Sequence, residues 1–282
     1  MLATLNGITV AALYFIVAIG FTLIFGLMRV INLAHGALYL LGAYIGYDVA
    51  MATGNWFLGL AAGGLGVALV GLVIQATLFD GIQGQEMRQT LVAIGVSIIM
   101  ADLLLAWYGG LTYQFDPPAM LYGSTALPIV MGYPTFRLVV VGFAVIVGLV
   151  IWLLVYRTRF GIIVRAGVDD RPMLSALGVN VPLVSVLVFA LGAGLAGLAG
   201  VVGGSVLSVS PGEDARYLLS SLIVVIVGGM GSLPGTAIGA LLIGLAEQIG
   251  LAYFPTYSVI VSFVIMVLVL ALRPQGLMGR SG

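Results

Sequence analysis

RTRFGIIVRAGVDDRPMLSALGVNVP, residues 157–182, is the only long charged interruption in an otherwise apolar chain. It carries four arginines, each of which would cost roughly 2.5 to 3.5 kcal/mol at the centre of a bilayer. A leucine in a membrane span contributes only about 0.5 kcal/mol in the opposite direction. We therefore expect this stretch to lie in water, as a loop between membrane helices.

A short helix is predicted inside this loop. Asp169 and Asp170 suit its amide end, Pro172 suits a first turn where no N–H is needed, and Gly178 suits its termination. We expect the apolar side of this helix to dock on a partner protein, the alternative being that it rests on its own bundle. That side carries three residues: Met173, Leu174 and Leu177.

Composition places the chain among polytopic membrane proteins. Hydrophobic residues make up 62% of the 282 residues, charged residues make up 7%, and the mean hydropathy is +1.24. We predict an all-α bundle of about eight to nine transmembrane helices in a single domain over residues 1–282, the short span near Leu218 deciding the count. The candidate spans are 8–27, 33–51, 56–78, 91–107, 136–156, 183–207, 218–230, 236–253 and 258–272.

Arginine placement predicts the orientation. With the charged loop in the cytoplasm, eight of the ten basic residues fall on the cytoplasmic side, and only Arg137 and Arg216 fall opposite. Nine spans then put the N-terminus outside and the C-terminus inside, whereas losing or gaining one span upstream of the loop would reverse the N-terminal side. The eight cytoplasmic residues are Arg29, Arg88, Arg157, Arg159, Arg165, Arg171, Arg273 and Arg280.

Several classes of function are excluded by residues that the chain lacks. It has no lysine for a phosphate-binding Walker loop and no cysteine for a disulfide, thiolate ligand or nucleophile. Its ten basic and ten acidic residues balance, so no nucleic-acid partner is expected. His35 is the sole histidine, which rules out a histidine cluster. We expect no catalytic, cofactor or metal site.

Two segments are typical of discontinuous membrane helices. GLMRVINLAHG, residues 26–36, interrupts two apolar runs, and GGMGSLPG, residues 228–235, precedes a run of small residues. Irregular backbone at membrane depth is tolerated where it lines a cavity, so both segments indicate a transport pathway, unless each is an ordinary turn. The residues concerned are Arg29, Asn32, His35, Gly36, Gly228, Gly229, Gly231, Ser232, Pro234 and Gly235.

Two carboxylates fall inside predicted spans. Asp102 would either line the pathway or pair with a neighbouring subunit, and Glu247 would face the bundle interior or a cavity. Ion-coupled carriers also use broken helices and buried carboxylates, so a secondary transporter is the main rival interpretation. The capped helix in the charged loop counts against it, because a carrier that works alone has no need of such a docking element.

Four stretches together resemble a known family. They are GLMRVINLAHGALYLLGAYIG at 26–46, the charged loop, GGMGSLPGTAIGALLIGLAE at 228–247 and RPQGLMGR at 273–280. In this order they are similar to the LivH-type permease subunits of bacterial ATP-binding-cassette importers for branched-chain amino acids. The resemblance covers nearly the whole chain and implies a multi-pass protein of the bacterial inner membrane with a cytoplasmic C-terminus.

The resemblance also implies partners. These are a homologous second permease of the LivM-like type, two cytoplasmic ATPase subunits and a periplasmic substrate-binding protein, besides membrane lipid. The helix at 170–177 would correspond to the coupling helix that docks on the ATPase. No glutamate precedes Ser175 and Ala176, which departs from the general pattern of importers. The polar rim around the docking helix would comprise Arg165, Asp169, Asp170 and Arg171.

The implied mechanism is alternating access, driven by the partner ATPases. The implied cargo is an aliphatic amino acid, and related permeases that carry urea, amides or other amino acids leave those substrates open.

Overall fold

A computed structural model describes residues 1–28, 31–127 and 130–279 of the chain. Within these ranges the fold is almost entirely helical, and six helices are long and apolar enough to cross a membrane. The predicted all-α membrane class is therefore confirmed. The six are Leu2–Met28, Trp56–Ile82, Glu86–Tyr108, Thr135–Arg157, Val181–Val206 and Leu233–Tyr253.

The described residues form eleven α-helices and one β-hairpin. A π-helical turn at Gln75–Phe79 and a 3-10 turn at Asp80–Ile82 extend the third helix. The helices are α1 (Leu2–Met28), α2 (His35–Thr53), α3 (Trp56–Ile74), α4 (Glu86–Tyr108), α5 (Thr135–Arg157), α6 (Arg159–Asp169), α7 (Arg171–Ala176), α8 (Val181–Val206), α9 (Asp214–Gly228), α10 (Leu233–Tyr253) and α11 (Ser258–Leu272); the strands are β1 (Ser124–Leu127) and β2 (Val130–Pro134).

Every predicted span coincides with one of these helices. Three of the nine helices are shorter or less apolar than a full span requires, namely α2, α9 and α11. At about 1.5 Å per residue, the fifteen residues of α9 measure only about 22 Å, less than the roughly 30 Å of a hydrocarbon core. α9 is therefore too short to cross the membrane by itself, so part of the connection that joins it to α8 lies inside the bundle.

Side-chain caps set the starts of several helices. The Asn55 side chain accepts a hydrogen bond from the Phe57 amide before α3, and Asn180 accepts one from the Leu183 amide before α8. These oxygens satisfy amides that have no partner within the helix, which matters most where water is scarce. Local chemistry therefore fixes where these spans begin.

Close contacts between glycines hold the centre of the bundle together, where α8 packs against α1, α2 and α3. A Cβ on Gly20 of α1 would stand 2.5 Å from the Gly192 carbonyl oxygen of α8. A Cβ on Gly197 would stand 2.5 Å from the Gly63 carbonyl oxygen of α3. Only glycine permits such approach, as is common where membrane helices associate without a hydrophobic driving force.

The two ends of the bundle are distinguished by contacts of α1. Near its start, Asn6 accepts a hydrogen bond of 2.6 Å from Arg137 at the start of α5. Near its end, Leu27 lies beside Gly167 of α6, since a Cβ on that glycine would stand 2.9 Å from Leu27 Cδ1. The end of the bundle that carries α6 and α7 is called the coupling end below. The N-terminus therefore lies at the opposite end.

The C-terminal tail lies at the coupling end. The Leu277 and Met278 amides donate to the Val227 and Gly228 carbonyls at the end of α9, at 2.9 and 3.0 Å. The turn after α9 is in turn close to the end of α1, where Gly231 approaches Gly26. The two ends of the described chain are therefore on opposite faces, as an odd number of passes requires.

The face opposite the coupling end carries the long connection between α4 and α5. It contains the β-hairpin, whose strands pair antiparallel. Tyr113 and Val209 also exchange backbone hydrogen bonds of 2.7 and 2.8 Å, tying this connection to the one after α8. The sequence leaves this connection between two predicted spans and does not predict the hairpin.

Candidate functional site

Two short helices, α6 and α7, form the connection between α5 and α8 at the coupling end. The Thr158 hydroxyl accepts from the Gly161 amide at 3.1 Å and starts α6. The Asp170 carboxylate accepts from the Met173 amide at 2.9 Å and starts α7, with Pro172 in its first turn. The structure thus has the predicted cap and proline, whereas α6 was not predicted.

A glycine ends α7. Gly178 has φ +83°, a left-handed conformation that favours glycine. Its amide donates to the Ser175 carbonyl at 3.0 Å, and the Val179 amide donates to the Leu174 carbonyl at 3.3 Å. The chain therefore leaves α7 in a fixed direction toward α8, as the sequence predicts for this glycine.

The apolar side of α7 is divided between the chain itself and solvent. Met173 and Leu177 are 57% and 70% exposed, and Ile162 of α6 is 57% exposed. Leu174 is only 5% exposed, because it packs beside Gly167 of α6. The prediction that Leu174 anchors a partner is wrong, since Leu174 fastens α7 to its own bundle.

The predicted polar rim of α7 is described only in part. Arg165 turns back toward α5, with its guanidinium 5.1 Å from the Tyr156 ring centroid and its Nε donating to the Gly161 carbonyl at 3.4 Å. The side chains of Asp169 and Arg171 lie outside the described residues.

The first predicted break is buried deep in the bundle. α1 ends at Met28 and α2 begins at His35, whose Nε2 lies 2.9 Å from the Val17 carbonyl oxygen. Val17 is eleven residues before the end of α1, which places His35 about 16 Å inside that end. A discontinuity therefore occurs at depth. Arg29 and Arg280 lie outside the described residues.

Polar groups in this break are incompletely satisfied. Asn32 is 3% exposed, and its Oδ1 accepts from the Ala34 amide at 3.1 Å. Its Nδ2, like His35 Nδ1, has no hydrogen-bond partner within the described chain. The predicted residue Gly36 meets α9, because a Cβ there would overlap the Asp214 carbonyl.

The second predicted break is a turn between α9 and α10 at the coupling end. Gly229 and Gly231 have φ of +103° and +82°. The Ser232 hydroxyl accepts from the Gly235 amide at 3.2 Å and starts α10, which has Pro234 in its first turn. Gly228 packs directly on the Gly235 backbone. This geometry is that of an ordinary turn, which is the second of the two interpretations that the sequence leaves open.

In the C-terminal half of the chain, the discontinuity lies at the start of α9 and not at its end. The sequence places residues 208–216 in an outer loop, but α9 already begins at Asp214, beside the first turn of α2. Tyr217 is 6% exposed and stacks on Tyr39 with ring centroids 4.0 Å apart. The outer connection thus enters the bundle, so placing Arg216 in an outer loop is wrong: it lies on α9.

Four polar side chains meet midway along α1, and we call them the mid-span cluster: Tyr14, Glu213, Arg216 and Glu247. The Tyr14 hydroxyl donates to Glu247 Oε2 at 2.6 Å, and Arg216 Nη1 lies 3.6 Å from Glu213 Oε1. Arg216 is also near enough to Glu247 for the two charges to attract each other. The sequence identifies Glu247 but misses the other three.

Asp102 lies apart from this cluster. It is exposed on α4, a helix of which little is buried within the chain. Whether it lines the pathway or pairs with another subunit stays a prediction. Among the described residues, no group of three or more His, Cys, Asp or Glu side chains is placed to hold a metal.

Comparison with known proteins assigns the chain to a family. Residues 3–270 match the model of the branched-chain amino acid transport system permease component. The chain belongs to this family. The match covers both discontinuities, the connection formed by α6 and α7, and the mid-span cluster, so the whole site described above is part of the family's domain. The predicted resemblance is confirmed.

Individual relatives support the assignment. The chain is 30% identical over 98% of its length to the high-affinity branched-chain amino acid transport system permease proteins BraD of Pseudomonas aeruginosa and LivH of Escherichia coli, covering 94% of each. It is 27% identical over 90% of its length to the ribose import permease protein RbsC of Escherichia coli, covering 79% of it. The chain is thus similar in sequence to permeases with different cargoes.

A solved structure has a similar fold. PsaBC from Streptococcus pneumoniae, determined in complex with Fab, matches with a TM-score of 0.54 over 96% of this chain and 91% of that chain. The sequence identity is 14%, so the similarity concerns the fold alone. With its membrane-length helices and its permease relatives, the chain is a multi-pass membrane protein.

Proposed function

We propose that this chain is one of two membrane subunits of an ATP-driven importer that carries branched-chain amino acids across the bacterial inner membrane. The observation that carries the proposal is the 30% identity to BraD and LivH over 98% of the chain. The chain supplies the pathway, and separate subunits supply ATP hydrolysis. This division agrees with the absence of any lysine for a Walker loop.

The coupling end is the proposed docking site of the ATPases. Met173, Leu177 and Ile162 expose apolar side chains outside the membrane spans, where burial against a partner would stabilise a complex by roughly 25 cal/mol per Å². Docking partners favour such apolar anchors within a polar rim. Arg159 and Arg165 of α6 and Arg273 after α11 support a cytoplasmic position for this end by the positive-inside rule.

Other faces of the bundle are the proposed contacts with a homologous LivM-like permease and with lipid. α4 and α11 bury little within the chain and expose large apolar residues such as Ile98, Leu103 and Val267. The end opposite the coupling end would receive substrate from a periplasmic binding protein. There the outer connections are tied together by the Tyr113 and Val209 backbone bonds, which make a defined surface.

Force transfer follows from the way α7 is attached. Leu174 packs α7 onto α6, and Gly167 of α6 meets the end of α1 at Leu27. Movement of α7 with a closing ATPase dimer would therefore move α1, which packs against α8 and α10 at the bundle centre. The buried discontinuities before α2 and α9 provide the places where such rocking opens or closes the pathway.

A sugar importer is the second candidate function, because the chain is 27% identical to RbsC over 90% of its length. Urea, amides and other amino acids are alternative substrates for the same mechanism. An ion-coupled carrier would differ in kind, since it would transport without ATPase subunits.

The test is uptake by the reconstituted complex. The chain is assembled with its neighbouring permease and ATPases in proteoliposomes that contain ATP, with the binding protein added outside. We expect ATP-dependent uptake of radiolabelled leucine, isoleucine and valine, and none by this chain alone under an ion gradient. Uptake of ribose or urea in place of leucine would overturn the substrate class, and gradient-driven uptake by the chain alone would overturn the importer.

A further inference from the structure

The mid-span cluster places opposite charges in the middle of an apolar bundle. Tyr14 is about 21 Å from the coupling end of α1, Glu247 is about 21 Å from the start of α10, and Arg216 is about 18 Å from the end of α9. The three side chains therefore share one level. A charge facing lipid at this depth is strongly unfavourable, so the cluster faces water or protein.

The cluster is open rather than sealed. The Arg216 side chain is 60% exposed and that of Glu213 is 31% exposed. Their separation of 3.6 Å leaves the guanidinium with donors to spare, because arginine carries five and this contact is not bidentate. Glu247 is fixed by the short hydrogen bond from Tyr14, which leaves its second carboxylate oxygen free of that bond.

We propose that Arg216 and Glu247 form the binding site through which the head group of a zwitterionic α-amino acid crosses the middle of the membrane. Arg216 would bind the carboxylate of the amino acid in place of Glu213. Glu247, held by Tyr14, would bind the ammonium group of the amino acid. The assignment rests on the proposed function and adds to it the site of substrate contact.

Apolar residues flank the two charges in a way that suits an aliphatic side chain. Leu219 follows Arg216 by three residues on α9, and Leu251 follows Glu247 by four on α10, so each lies on the same helix face as its charge. They are 46% and 48% exposed. An amino acid carries a negative and a positive end that match Arg216 and Glu247, whereas a neutral sugar carries neither, so the cluster favours an amino acid over ribose.

The test compares variants of the complete complex in proteoliposomes, with leucine as the probe. We expect Arg216→Gln and Glu247→Gln each to lower leucine transported per ATP hydrolysed by about tenfold or more, the usual loss when a charged hydrogen bond is removed. Arg216→Lys should retain part of the activity, because it keeps the charge without the fork. Arg137→Gln is the matched control, since its guanidinium binds Asn6 within the chain.

The outcomes separate the roles that the cluster could have. Wild-type transport per ATP in both Gln variants would overturn the site. Dissociation of the second permease from the Arg216→Gln complex in size-exclusion chromatography would also overturn it, because the cluster would then be a subunit contact. Failure of the proposed function looks different: the wild-type complex itself would take up no leucine.

Discussion

At the scale of single residues, Leu174 and Leu177 lie three positions apart at α7 and have opposite surroundings. Leu174 is 5% exposed and packs beside Gly167, whereas Leu177 is 70% exposed. One leucine therefore attaches the helix to the bundle and the other is available to a partner. The sequence shows both as apolar residues of one short helix, and its spacing alone does not say which one the chain covers.

Leu177→Asp is expected to uncouple the transporter without unfolding it. The new carboxylate meets water in the isolated chain, but it would be desolvated in an apolar interface with an ATPase. Binding-protein-stimulated ATP hydrolysis by the reconstituted complex should therefore fall sharply, while the yield of monodisperse chain stays at the wild-type level. Normal stimulated hydrolysis would remove Leu177 from the coupling contact.

Leu174→Ala provides the contrast. Truncating a buried leucine typically costs about 2 to 5 kcal/mol, which here loosens α7 from α6. We expect a lower melting temperature for the purified chain, a change that Leu177→Ala should not produce. Equal melting temperatures for the two alanine variants would contradict the burial of Leu174.

At the scale of helices, the bundle depends on backbones that touch. α1 and α8 meet at Gly20 and Gly192, where no Cβ fits. Close glycine contacts are common between membrane helices, but composition does not say which helices they join. Which helix meets which is set by contacts between residues far apart in the chain, such as Gly42 on Gly197.

Gly20→Ala is expected to destabilise the bundle by about 1 to 3 kcal/mol, the usual cost of overpacking. The added methyl would stand 2.5 Å from the Gly192 carbonyl oxygen, so α1 and α8 must separate. Gly142→Ala is the control, because nothing lies within 4 Å of a Cβ at that position on α5. Thermal unfolding in detergent measures both, and equal stability of the two variants would refute this account of the packing.

The break before α2 should be a moving part. Because the chain has no cysteine, Asn32→Cys and Ser232→Cys each introduce a single thiol. Asn32 is buried, whereas Ser232 lies in the partly exposed turn at the coupling end. We expect a water-soluble maleimide to label the Ser232→Cys variant in every nucleotide state and the Asn32→Cys variant in only some of them. Unchanging protection of the Asn32→Cys thiol through the ATP cycle would argue for a static turn.

At the scale of the whole molecule, hydropathy predicts where helices occur but not how deep they begin. All nine predicted spans lie on helices, because twenty or so apolar residues have few other options in lipid. The buried start of α9 is missed, since the sequence there reads as an outer loop. The mid-span cluster is also missed except for Glu247, because Tyr14 reaches Glu247 across 233 positions of sequence.

We propose that α7 transmits force to the bundle from separate ATPase subunits. A cryo-EM structure of the assembled importer would show whether α7 makes that contact. We expect Met173 and Leu177 to lie within van der Waals contact of a nucleotide-binding subunit, with Leu174 still packed on α6. A complex in which α7 touches only its own chain, or in which no nucleotide-binding subunit lies at the coupling end, would contradict the claim.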